Sequence, residues 1–70
     1  MTPQHWTARL TEERKRIELE VHELAHKAGV TDHMQKRFEN GTSAIPIDYL
    51  QAIAARSDAD VLYIITGERS

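Results

Sequence analysis

A chain of 70 residues with a formal net charge of −2 and no cysteine can build one hydrophobic core, close to the smallest size that folds unaided. Without thiols there are no disulfide staples and no thiolate metal ligands, and the longest apolar run, "VLYII", is far too short to cross a bilayer. Nine Lys and Arg face eleven Asp and Glu, so any affinity for nucleic acid depends on where the basic side chains sit.

The opening residues carry no apolar signal-peptide core, and the expectation is a soluble, intracellular protein. "WTARLTEERKRIEL" sets Trp6, Leu10, Ile17 and Leu19 on one face at helical spacing, predicting a first helix. "VHELAHKAG" repeats the pattern through Val21, Leu24, Ala25 and Ala28 and stops at Gly29, a residue suited to the left-handed conformation that ends helices. Glu20 stands where it caps this second helix. Val30 alone separates Gly29 from Thr31, a good N-cap for a third helix, "DHMQKRFE". "NGTSAIP" reads as a loop, with Pro46 suited to the start of "IDYLQAIAARS". A short fifth helix, "ADVLYIIT", closes at Gly67, with Asp48, Asp58 and Asp60 as caps or first-turn acids.

All five helices are too short to be stable in isolation, so they must share a core. The candidates are Trp6, Leu10, Ile17, Leu19, Leu24, Ala25, Phe38, Leu50, Ile53, Val61 and Leu62. The expected fold class is all-α, one compact domain over residues 1–70.

His22 to His26 read "HELAH", the H-E-x-x-H in which two histidines hold zinc and the glutamate activates water. A peptidase also needs a third protein ligand and a substrate cleft. The chain is too short for a two-lobed cleft, and neither His5 nor His33 sits at a spacing that supplies the ligand. Leu24 and Ala25 are expected to pack inward, leaving His22, Glu23 and His26 on the solvated side as at most a weak, incidental zinc or nickel site. No Ser/His/Asp arrangement or phosphate-cradling loop stands elsewhere, so a non-enzyme without cofactor or metal centre is expected.

The pair of helices around Gly29, at residues 21–39, has the order of a helix-turn-helix: small Ala25 and Ala28 permit a close crossing, and the third helix stands proud of the surface. With "RLTEERKRIEL", "ELAHKAGV", "RFENG", "YLQAIA" and "DVLYIITGER" in this order, the chain resembles the Cro/CI-type (Xre family) helix-turn-helix regulators of phages and bacteria over nearly its whole length. The resemblance implies a five-helix, lambda-repressor-like DNA-binding domain. It would act as a homodimer on paired operator half-sites of double-stranded DNA, in the cytoplasm of a bacterial host at its nucleoid.

Carried over by position, the resemblance places Asp32, His33, Lys36 and Arg37 toward base edges, and Arg9, Val21, Lys27, Asn40, Thr42 and Ser43 near phosphates. Arg14 and Glu39 match a structural ion pair tying the first helix to the third. Arg37 has the chemistry to pair with guanine, and Asp32 to accept from cytosine. The chain departs from the family at Glu20 and Val21, where relatives carry serine and glutamine. It departs also in "TSA", which lacks the usual loop cation, and at Gln35, where many relatives bury an aliphatic side chain and Met34 is expected to compensate here. Fewer phosphates are neutralised, which predicts modest affinity per monomer and dependence on dimerisation.

The rest of "RKR", Arg14 to Arg16, reads as a solvated face, and Trp6, Phe38 and Tyr49 as packing residues rather than base-stacking platforms. The last helix is too apolar for its length, so Val61, Tyr63, Ile64 and Ile65 are expected to meet a second copy. The first functional reading is a sequence-specific, dimeric transcriptional regulator, a repressor that occupies its promoter. The second is a helix-turn-helix interaction module of antitoxin or antirepressor type with weak DNA binding, motivated by Glu20 and Asp32.

Overall fold

A computed structural model describes residues 4–69, and all regular structure among them is helical: α1 (Gln4–Arg16), α2 (Val21–Ala28), α3 (Asp32–Asn40), α4 (Ile47–Arg56) and α5 (Val61–Thr66). The Cα radius of gyration is 10.5 Å, close to the roughly 11 Å expected of a compact chain this long. Packing is between α2 and both α3 and α4, between α1 and both α3 and α5, and between α4 and α5. None of these helices is long and apolar enough to cross a membrane.

Local chemistry sets the helix ends. The Thr31 hydroxyl accepts from the Met34 amide at 3.1 Å and starts α3, and the Asp60 carboxylate accepts from the Tyr63 amide at 3.1 Å and starts α5. At the start of α2 the Glu23 carboxylate accepts from the Glu20 amide at 2.8 Å. Gly29 ends α2 at φ 76°, with its own amide and that of Val30 donating to the carbonyls of His26 and Ala25. These bonds satisfy carbonyls that the helix leaves without partners.

The first helix is shorter than its apolar spacing predicts. It stops at Arg16 because Glu18 turns into the left-handed region at φ 60°. The Glu18 and Leu19 amides then donate back to the carbonyls of Lys15 and Arg14 at 3.0 and 3.1 Å. This is the cap that glycine usually makes, and with no glycine present the sequence gives no sign of it. Ile17 and Leu19, both half-buried, therefore lie beyond α1 instead of continuing its apolar face.

The core is Leu10, Leu24, Ala25, Phe38, Ile45, Tyr49, Leu50, Ile53 and Ile64, with half-buried Trp6, Leu19 and Val61 packed against it. Two expectations are corrected on α5. Leu62, expected inside, is 51 % exposed, while Ile64, expected at a partner, is fully buried. Six consecutive residues with five apolar side chains carry no readable phase, so only packing against α1 and α4 decides which edge turns inward. Each fully buried Leu or Ile contributes about 1.5–3 kcal/mol relative to an exposed one. Against a total of roughly 4–10 kcal/mol for a chain of this size, no core side chain is dispensable.

Polar groups join the helices at two places. On one side of α1, Arg14 Nε donates to Glu39 Oε2 at 2.8 Å, Thr11 Oγ1 donates to Glu39 Oε1 at 3.0 Å, and Arg14 Nη1 reaches the Leu19 carbonyl at 3.0 Å. This is the predicted Arg14–Glu39 pair, and it fixes α1 to the end of α3 and to the turn before α2. On another side the Glu13 carboxylate, fully buried, accepts from Arg16 Nε and Nη2 at 2.9 Å each, from the Asp60 amide at 2.8 Å and from Arg69. Burial by itself would push the Glu13 carboxyl up. The bonds from Arg16, the Asp60 amide and Arg69 outweigh it and hold the group below its ordinary value.

Candidate functional site

The segment from α2 to the loop after α3 holds most of the predicted site residues. Three residues, Gly29 to Thr31, join the two helices. Capped by Thr31 at one end and by Gly41 at φ 81° at the other, α3 spans nine residues, about 13–14 Å at 1.5 Å per residue.

Its inward side is anchored by Phe38 and, unexpectedly, by Gln35. The Gln35 side chain is 0 % exposed. Its Nε2 donates to Glu39 Oε2 at 2.6 Å, and its Oε1 accepts from the Tyr49 hydroxyl at 2.6 Å. Tyr49 also meets Phe38 edge-to-face with ring centroids 4.8 Å apart. Burial pushes the Tyr49 phenol well above its ordinary value; the bond to Gln35 opposes this and the nearby Glu39 charge adds to it. A continuous chain Tyr49–Gln35–Glu39–Arg14 therefore connects α4, α3 and α1. Both ends of the Gln35 amide are satisfied, which removes the cost of burying it. Met34 is half-buried beside it and takes no part in these bonds. A polar residue on the inward phase of α3 was the available signal for this network, and its partner Tyr49 lies 14 residues away in sequence.

The outward side of α3 presents Asp32, His33, Lys36 and Asn40, all exposed. Arg37 is half-buried and not free to extend: its Nε donates to Ser43 Oγ at 2.7 Å. The loop is tied on itself as well. The Asn40 carboxamide oxygen accepts from the Thr42 amide at 2.9 Å and from the Thr42 hydroxyl. The Thr42 and Ser43 amides donate to the Arg37 carbonyl at 3.0 and 3.3 Å. The structure thus brings Arg37, Asn40, Thr42 and Ser43 together as one braced turn.

Val21 is half-buried at the start of α2, and Lys27 is exposed near its end, its carbonyl accepting from Arg56 Nη1 at 3.4 Å. Arg9 falls elsewhere. On α1, Thr11 and Arg14 face α3, whereas Arg9 lies over the end of α5, with Nη1 3.5 Å from the Ile64 carbonyl and the guanidinium 5.9 Å from the Tyr63 ring centroid. Across the α2–α3 segment, Lys27, Lys36 and Arg37 are matched by Glu20, Glu23 and Asp32, and the fourth acid, Glu39, is taken up by Arg14 of α1. The face is polar and near-neutral, with its cations concentrated on α3.

In "HELAH" the burial is as expected: Leu24 and Ala25 are fully buried, and His22, Glu23 and His26 are exposed. Among the described residues no group of three or more His, Asp or Glu side chains is arranged to hold a metal ion.

On α5, Val61, Tyr63 and Ile65 are half-buried. The Tyr63 hydroxyl donates to Glu12 at 2.7 Å, which raises its pKa above the ordinary value. The Arg69 guanidinium lies 3.9 Å from the Tyr63 ring centroid. Ile64 contributes nothing to an outer surface; exposed Leu62 takes that place.

Comparison of the chain with models of protein families, with curated proteins and with solved structures finds no match.

Proposed function

We propose that the chain is a lambda-repressor-like helix-turn-helix domain that binds double-stranded DNA in a sequence-selective manner and regulates transcription as a homodimer. The observation that carries this reading is the build of α3: a helix capped at both ends, fixed from below by Phe38 and the buried Gln35–Tyr49 pair, with Asp32, His33 and Lys36 exposed on its outer side. A major groove about 12 Å wide admits one such helix. Rigid anchoring supports readout because base edges are discriminated by hydrogen bonds of fixed geometry.

Lys36 stands free to reach a base or a phosphate, and His33 to bond a base edge. Arg37 acts from the Ser43 brace, so it contacts DNA next to the loop or after exchanging that partner. The half-buried Val61, Tyr63 and Ile65, with exposed Leu62, supply the surface for the second copy, which sets two α3 helices about one DNA turn apart. A repressor of this kind would work in a bacterial cytoplasm.

The balance of Glu20, Glu23 and Asp32 against three cations favours a second reading, a protein-interaction module with weak DNA affinity. Selection from a random duplex library, followed by binding across a salt series, separates the two. The regulator yields enriched half-sites related by two-fold symmetry and an affinity that falls with salt as counterions are released. Lys36→Ala should then weaken binding, and Arg37→Ala should relax selectivity at one base position. If no sequence is enriched and binding is negligible at low salt, the interaction module stands instead.

A further inference from the structure

Two imidazoles on α2 have no part in the reading above. His22 and His26 are both exposed on a helix whose opposite side, Leu24 and Ala25, is fully buried. Neither ring has a hydrogen-bond partner among the described residues, in contrast to Glu23 between them. Side chains at i and i+4 of an α-helix stand one above the other with Cβ atoms about 5–6 Å apart. Two imidazoles so placed can close on a single ion at a metal–nitrogen distance of about 2 Å. The helix is held by its caps and by the core, so the pair needs only rotamer adjustment to reach that geometry.

Glu23 Oε1 accepts from the Glu20 amide at 2.8 Å, which holds the carboxylate toward the start of the helix. With Glu20 it still sets two negative charges at the first turn of α2, and that field favours a cation nearby. Imidazole suits copper, nickel and zinc among the divalent ions, and two protein ligands leave the remaining positions to water or to a phosphate oxygen.

Where the sequence alone points to at most an incidental site, we propose that His22 and His26 form a two-histidine chelate for a late divalent transition metal, and that the bound ion strengthens the grip of the α2–α3 face on duplex DNA. The second half rests on the DNA-binding reading. Without metal the charges Lys27, Lys36 and Arg37 are cancelled by Glu20, Glu23 and Asp32, with Glu39 neutralised by Arg14; a divalent ion adds two positive charges. If both charges meet phosphates, the slope of log affinity against log salt steepens by about 1.8, at 0.9 per phosphate neutralised.

The test has two arms on the full chain. First, Zn²⁺ and separately Ni²⁺ are titrated without DNA, followed by calorimetry and by the imidazole resonances, in the wild type, His22→Ala and His26→Ala. Both positions are exposed and alanine is the best helix former, so the variants keep their fold. Saturable one-to-one binding, lost in each variant, is expected. Second, affinity for a random-sequence duplex is measured over a salt series in chelator and in zinc. The wild type should bind more tightly and with the steeper slope in zinc, and the variants should not respond.

No saturable binding of either ion, or binding retained in both variants, overturns the chelate whatever the duplex does. Metal binding that leaves duplex affinity and slope unchanged overturns the coupling. No duplex binding in either buffer refutes the DNA-binding reading and the coupling together, while the DNA-free titration still decides the chelate by itself.

Discussion

Replacing Tyr49 with phenylalanine removes one oxygen and almost nothing else. The ring, its edge-to-face contact with Phe38 and its burial are retained. What is lost is the 2.6 Å hydrogen bond to Gln35 Oε1, in a site where Gln35 is 0 % exposed and water has no access. The carboxamide oxygen is left buried without a partner, at a cost of about 1–3 kcal/mol. In urea, with an m-value of about 1 kcal/mol/M for a protein this small, the unfolding midpoint should fall by roughly 1–3 M. Gln35→Leu creates the mirror defect, an unpaired Tyr49 hydroxyl, while Glu39 keeps Arg14 and Thr11 as donors. The double variant removes both polar groups and should be less destabilised than the sum of the singles, with a coupling of about 0.5–3 kcal/mol. A Tyr49→Phe midpoint equal to that of the wild type, or strict additivity in the cycle, would refute the claim that this pair anchors α3.

Two further perturbations address other parts of the scaffold. Glu13 has its folded-state pKa lowered, so its stabilising contribution is complete above the unfolded carboxyl pKa of about 4.3 and is lost as pH falls through the lower folded value. Glu13→Gln should therefore reduce stability at neutral pH, by an amount moderated because Arg16 and Arg69 are nearly half exposed. It should also flatten the acid limb of the stability–pH curve; an unchanged acid limb in chemical denaturation would show that Glu13 does not drive it. Glu18 holds φ 60° without being glycine, a conformation that costs an L-residue about 1–2 kcal/mol. After the entropy of a more flexible unfolded chain is subtracted, Glu18→Gly should gain up to about 1 kcal/mol. That gain raises the melting temperature by roughly 4–8 °C at this size, whereas Glu18→Ala should give no such gain; equal melting temperatures for the two would remove backbone strain as the cause.

Much of the scaffold was legible in the sequence. Helical spacing located all five helices, and Gly29, Thr31 and Gly67 marked ends where the backbone needs a left-handed residue or a side-chain cap. The Arg14–Glu39 pair came from resemblance and lies at 2.8 Å. The misreadings share a cause. Leu62 and Ile64 exchanged places because a short, almost wholly apolar helix has no polar residues to mark its outer face. Glu18 hid the end of α1 because its cap depends on backbone conformation instead of residue type.

The division follows from the range of the forces. Periodicity, caps and turn residues act within a few positions, so the sequence alone determined an all-helical chain, its approximate helix boundaries and the inward side of α2. Which polar groups meet across helices depends on how those helices are rotated and stacked, and only the tertiary structure decided it. Packing alone turned Gln35 into a buried link between Tyr49 and Glu39, placed Glu13 beneath two arginines, and held Arg37 on Ser43 while Lys36 stayed free.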